Sequence, residues 1–113
     1  MQILNLDELN SHLYRFDQVE NFDLNYDHEE NGYTLTLILS KDLFIENTEK
    51  LLIKFFYISD FSLNDSFLSN FQQFMSLNIE KNNDQLENVN YQISQIEDEN
   101  IAFKCKRFLG YLI

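Results

Sequence analysis

Apolar residues near the start of the chain recur at steps of three and four, and then the period changes to two. Leu6, Leu9, Leu13 and Phe16 fall on one face of a helix. Asn5 is placed to cap it, and Asp7 and Glu8 lie in its first turn, where the positive end of the helix dipole favours acids. The spacing predicts a helix over 6–15. Beyond it, Phe22, Leu24 and Tyr26 alternate with Asn21, Asp23, Asn25 and Asp27, the pattern of a strand with one wet face. His28-Glu29-Glu30-Asn31-Gly32 follows, and Asn-Gly supplies the positive φ that a tight hairpin needs. The return strand, Tyr33-Thr34-Leu35-Thr36-Leu37-Ile38-Leu39, is rich in β-branched and aromatic residues.

A charged connection from Ser40 to Lys50 leads to Leu51-Leu52-Ile53-Lys54-Phe55-Phe56-Tyr57-Ile58. This run is nearly continuously apolar and reads as a central strand covered on much of both faces. Over 64–75, Phe67, Leu68, Phe71, Phe74 and Met75 fit helical spacing, with Asn64 or Asp65 as a cap. The segment is aromatic and poor in strong helix formers, so helix, strand and loop all stay open. Leu77 and Ile79 form a short strand, and Lys81 to Asn88 reads as a polar turn. Val89, Tyr91 and Ile93 alternate with polar residues, Glu97-Asp98-Glu99-Asn100 turns the chain, and Ile101, Phe103 and Cys105 alternate with Lys104 and Lys106. Links of this length are too short for parallel crossovers. The expected fold is α+β, with an N-terminal helix packed on a mostly antiparallel sheet of about six strands, in one domain over 1–113. One sheet face is expected to carry Phe22, Leu24, Leu35, Leu37, Ile53, Phe55, Tyr91, Ile93 and Phe103.

Composition narrows what such a domain does. The chain has 19 acids and 8 bases, a formal net charge of -11. Its 44% apolar and 15% aromatic content excludes a disordered acidic tail. The acid excess argues against direct nucleic-acid binding, because phosphate needs Lys and Arg, and against an anionic membrane surface. With no run of 18 apolar residues and no basic, apolar leader, the expected localisation is cytoplasmic. One cysteine, Cys105, excludes an internal disulfide and any cysteine zinc cluster, and fits a reducing compartment.

Candidate chemistry is sparse. His28 stands among Asp27, Glu29 and Glu30, but neighbours on a turn diverge, whereas zinc needs converging ligands. His12 lies inside the predicted helix. Cations beside Cys105 favour a thiolate in principle, yet strand alternation turns the thiol toward Ile101 and Phe103, where it acts as a small hydrophobe. The chain has no nucleophile elbow, phosphate loop or dinucleotide fingerprint. The acids fall mainly on wet faces and turns rather than in the apolar cleft that a general acid requires. The expectation is a non-enzyme without cofactor or metal.

What remains is the distribution of charge. Residues 1–40 hold eight acids and one base, Arg15. Asp23 and Asp27 share a wet strand face with Asn21 and Asn25; Glu29 and Glu30 extend it into the turn, and Asp17 and Glu20 lie at its start. One reading is a solvated face that keeps an aromatic-rich protein soluble. The other is an interface for a basic partner, built from these eight residues. An acidic face raises association with a cationic surface by ~10–1000-fold at low salt.

The whole chain, with its size, its acidity, its N-terminal helix and its antiparallel sheet, resembles small acidic immunity proteins of bacterial toxin–immunity systems. The closing hairpin Tyr91-Gln92-Ile93-Ser94 to Glu97-Asp98-Glu99-Asn100-Ile101-Ala102-Phe103-Lys104-Cys105 is similar to the last two strands of several such families. The resemblance implies stoichiometric, non-catalytic binding of a cognate toxin, often a basic nuclease domain; monomer and homodimer, the latter through an exposed strand edge, are both compatible with the sequence. It carries over no contact residues. A second reading keeps the same charge but makes the chain a phage or mobile-element inhibitor, an acidic decoy occupying the phosphate channel of a host enzyme.

Overall fold

In the computed structural model, the residues described are 1–45, 49–63, 76–82, 89–96 and 101–113. The segment 64–75, most of the turn at 81–88 and the turn at 97–100 lie outside them. The strands are β1 (Gln2–Ile3), β2 (Gln18–Asp27), β3 (Gly32–Ser40), β4 (Leu51–Leu63), β5 (Leu77–Lys81), β6 (Tyr91–Gln95), β7 (Ile101–Cys105) and β8 (Arg107–Leu112). The helix α1 spans Leu6–Arg15, with Asn5 Oδ1 accepting the Glu8 N–H at 3.1 Å as its cap.

The expected α+β fold, a helix on about six strands, is corrected by this architecture. Among the described residues the chain is mostly β, with eight strands in one curled, half-barrel sheet and one short helix. Only the mostly antiparallel pairing stands. Two strands escaped the periodicity for physical reasons. β1 is two residues long, too short to show a period. β8 carries Phe108-Leu109-Gly110-Tyr111-Leu112, where apolar residues occupy both faces and no alternation marks a strand.

The sheet curls because β4 serves two parts of it. Along Leu51–Phe56 this strand pairs with β3 on one side and β8 on the other; from Ser59 to Leu63 it pairs with β7. Over residues 56–62 the register shifts on both sides, and Tyr57 and Asp60 take left-handed backbone, φ 61° and 49°. A bulky residue there is strained, by about 1 kcal/mol or more. Gly32 makes room for the bend, since a Cβ on it would stand 2.8 Å from Tyr57 Cδ2. β7 and β8 form one run broken at Lys106, whose N–H donates to Phe56 O at 2.9 Å, so they follow the bend in β4. The remaining order is β7-β6-β5 on one arm and β8-β1 on the other.

Helix α1 lies between these arms. Leu9 and Leu13 are fully buried, and Leu9 Cδ1 sits where a Cβ on Gly110 of β8 would be, 2.8 Å away. On the other side the Asn10 amide pairs with the backbone of Ile79 in β5. The core gathers Leu9, Leu13 and Phe16 with Leu35, Leu37, Leu39, Leu51, Ile53, Phe55, Ile93, Ile101 and Phe103. Burying apolar surface at about 25 cal/mol per Å2 makes this cluster the main source of stability. Of the nine residues expected on the inner face, Leu24 is the departure, at 39% exposed.

Candidate functional site

The β2–β3 hairpin presents the acidic residues. Its turn differs from the expected tight Asn-Gly turn. Asp27 pairs with Gly32 across a four-residue loop, the Asp27 carboxylate accepts the Glu29 N–H at 2.9 Å, and Asn31, not Gly32, takes the positive φ of 55°. A short polar side chain that bonds its own backbone two residues on stabilises such a turn. At the base of the hairpin, the register shifts between Val19 and Asn21. The bulge lets Val19 enter the core and still leaves Phe22 and Leu24 opposite the buried Leu37 and Leu35. Asn21, Asp23, Asn25 and Asp27 therefore line up on the outer face, opposite Ile38, Thr36, Thr34 and Gly32.

These four residues are the part of the sequence-predicted surface that the fold brings together. Asn25 donates to Asp23, so the acid and amide are already oriented toward each other. Among the described residues β2 pairs with β3 only, and this face borders an edge of the sheet. The other four candidates are placed apart or occupied. Glu20, at the bulge, pairs with Lys50 at 3.3 Å. Glu30 binds Arg107 at the start of β8, and the Arg107 guanidinium lies over the Phe56 ring, 3.9 Å from its centre. Asp17 sits at the α1–β2 junction, where burial raises its carboxyl above the usual range and a bond from its own backbone lowers it in part. Glu29 is exposed on the turn.

The inner face of the same hairpin tip holds Tyr26, Tyr33 and His28, none of them among the eight expected contact residues. Tyr26 and Tyr33 are paired across the strands, edge to face at 5.4 Å, and are 48% and 50% exposed. His28 stacks edge-on against Tyr26 at 5.1 Å. The signal was in the register: a four-residue turn puts Tyr26 directly opposite Tyr33, near the free end of the hairpin, where little covers them.

Cys105 is fully buried between the strands, and burial pushes its thiol up to about 12. A thiol held neutral at physiological pH is a packing group. Among the described residues, no three His, Cys, Asp or Glu side chains converge as a metal site, and no helix is long and apolar enough to cross a membrane.

Fold and surface together define a small, acidic, mostly β protein with an acid-and-amide strand face turned outward at a sheet edge. The family model of immunity protein PIM8 matches residues 1–110, and the chain belongs to that immunity protein family. It is thus an immunity protein of a toxin–immunity system. No curated protein and no solved structure matches the chain.

Proposed function

We propose that the chain neutralises its cognate toxin by stoichiometric binding in the cytoplasm, without catalysis, and that the toxin domain is basic and nuclease-like. The observation that carries this reading is the outer face of β2. Asn21, Asp23, Asn25 and Asp27 project from one edge strand, and Glu29 extends them at the turn. Such a face attracts a cationic surface over several ångströms and then offers amide and carboxylate acceptors at contact. Self-pairing of two β2 edges would bring Asp23 and Asp27 of one copy near those of another, which favours a foreign, basic partner over a second copy. Asp17, Glu20 and Glu30 lie at its margins, Glu20 held by Lys50 and Glu30 by Arg107. The test is co-expression with the toxin domain encoded beside the chain's own gene. Wild type rescues growth and elutes with that domain as a 1:1 complex by light scattering. Growth arrest despite full expression of both proteins contradicts the reading.

A further inference from the structure

Where β4 leaves the hairpin, a cleft of about 280 Å3 opens between the two, lined by Leu24, Tyr33, Ile58, Ser59, Asp60 and Phe61. It exists because of the bend. The left-handed residues Tyr57 and Asp60 carry the strand away from β3, so the inner side of the hairpin tip is left uncovered. Backbone strain held by the surrounding packing is more often found at functional sites than in plain scaffold.

The lining selects its occupant. Leu24, Ile58 and Phe61 offer an apolar wall, Tyr33 a half-exposed ring, and Asp60 a carboxylate at the rim. The Asp60 side chain is 72% exposed, with Lys104 Nζ on its Oδ2 at 3.3 Å. A long aliphatic stem ending in a cation satisfies all of these: the stem lies on the apolar wall, and the head meets the carboxylate and the ring face. An acidic ligand is repelled by a chain of net charge -11, and a purely apolar one cannot compete with Lys104 for the Asp60 carboxylate.

We propose that this cleft receives a lysine or arginine side chain of the toxin, as an anchor on the side of the hairpin opposite the acidic face. The proposal rests on the immunity reading for the identity of the partner. The toxin then grips both sides of the hairpin tip. The outer acids set the encounter rate, and the cleft sets the residence time, as desolvated anchors do in other interfaces.

The test has two arms. In the first, NMR titration of the full chain uses Ac-Gly-Arg-Gly-amide, Ac-Gly-Lys-Gly-amide and Ac-Gly-norleucine-Gly-amide. The cationic peptides shift Leu24, Tyr33, Asp60 and Phe61 saturably and the norleucine peptide does not. Asp60→Asn abolishes the shifts, and Lys104→Ala, which removes the internal competitor, strengthens binding by at least twofold. Shifts confined to the outer face of β2, or none, overturn the cleft. In the second arm, calorimetry with the adjacent-gene toxin domain compares wild type, Asp60→Asn and Tyr33→Ser, each with unchanged circular dichroism. A loss of tenfold or more in affinity, residing in dissociation, supports the anchor. Equal affinity overturns it and leaves the immunity reading intact. If wild type does not bind that domain, the immunity reading fails and the peptide arm alone decides the cleft.

Discussion

The side-chain amide of Asn10 makes both of the hydrogen bonds that a neighbouring strand would make to Ile79: Nδ2 donates to the Ile79 carbonyl at 2.9 Å, and Oδ1 accepts its N–H at 2.8 Å. One helical residue thereby stands in for a strand at the β5 edge. Ser76 Oγ, donating to Tyr14 O at 2.7 Å, adds a second tie between α1 and the start of β5. The helix so closes one side of the half-barrel, while among the described residues β2 pairs with β3 alone.

Asn10→Ala removes both bonds and leaves two half-buried backbone groups without them. The expected loss is about 2 kcal/mol of unfolding free energy. Asn10→Asp keeps the acceptor, loses the donor and falls between the two. Urea unfolding followed by circular dichroism measures both, and unchanged midpoints would mean that the helix is held by packing alone.

Gly110→Ala tests the seat of α1 on β8. The new methyl meets Leu9 Cδ1 at 2.8 Å in a fully buried site. Because Leu9 presents the end of a flexible side chain, the expected cost is about 1 kcal/mol, at the low end for overpacking. Adding Leu9→Val relieves the clash, so the double variant is more stable than the sum of the single effects. A double-mutant cycle with zero coupling would contradict this contact.

Cys105 predicts a pH dependence. Burial raises its thiol from the ordinary 9.0 to about 12 in the folded chain. Between these values the unfolded chain has lost the proton and the folded chain keeps it. Stability from this group is therefore complete below pH 9 and declines as pH rises toward 12, by about 1 kcal/mol per unit. Cys105→Val removes that slope, and the difference between the two chains' unfolding midpoints over pH 8–11 measures it. The native thiol is also expected to react with a thiol reagent at pH 8 only at the rate of unfolding.

Glu30 is the acidic candidate with a structural duty. It holds Arg107 over Phe56 and so ties the hairpin turn to β8. Glu30→Gln is expected to lower stability by about 0.5–1 kcal/mol, less at high salt, and to leave toxin affinity nearly unchanged. Thermal unfolding at two ionic strengths, with calorimetry alongside, separates the effects.

Local patterns in the sequence were clear wherever one face was wet. The 6–15 helix, its Asn5 cap and the alternation of β2 and β3 all follow from side-chain period, and the structure places them there. The curl of the sheet was not legible. It arises from left-handed backbone at Tyr57 and Asp60, residue types that do not signal a bend as glycine does, and from glycines whose meaning is a missing Cβ under a distant side chain. At the surface, the common face of Asn21, Asp23, Asn25 and Asp27 was visible in the period of two. That Glu20 and Glu30 are drawn to Lys50 and Arg107 depends on residues far along the chain, and periodicity carries no such information.

The acidic face is the centre of the functional account, and its association kinetics test it most directly. Stopped-flow mixing with the adjacent-gene toxin domain compares wild type with Asp23→Lys/Glu29→Lys, a pair that spares the Asp27 turn. The wild-type rate constant is expected to fall at least tenfold between 20 and 300 mM salt, as order-of-magnitude steering requires. The reversed variant should associate at least tenfold more slowly at low salt, with little salt dependence and an intact fold. Equal rates for the two chains at every salt concentration would contradict the claim that this face meets the toxin.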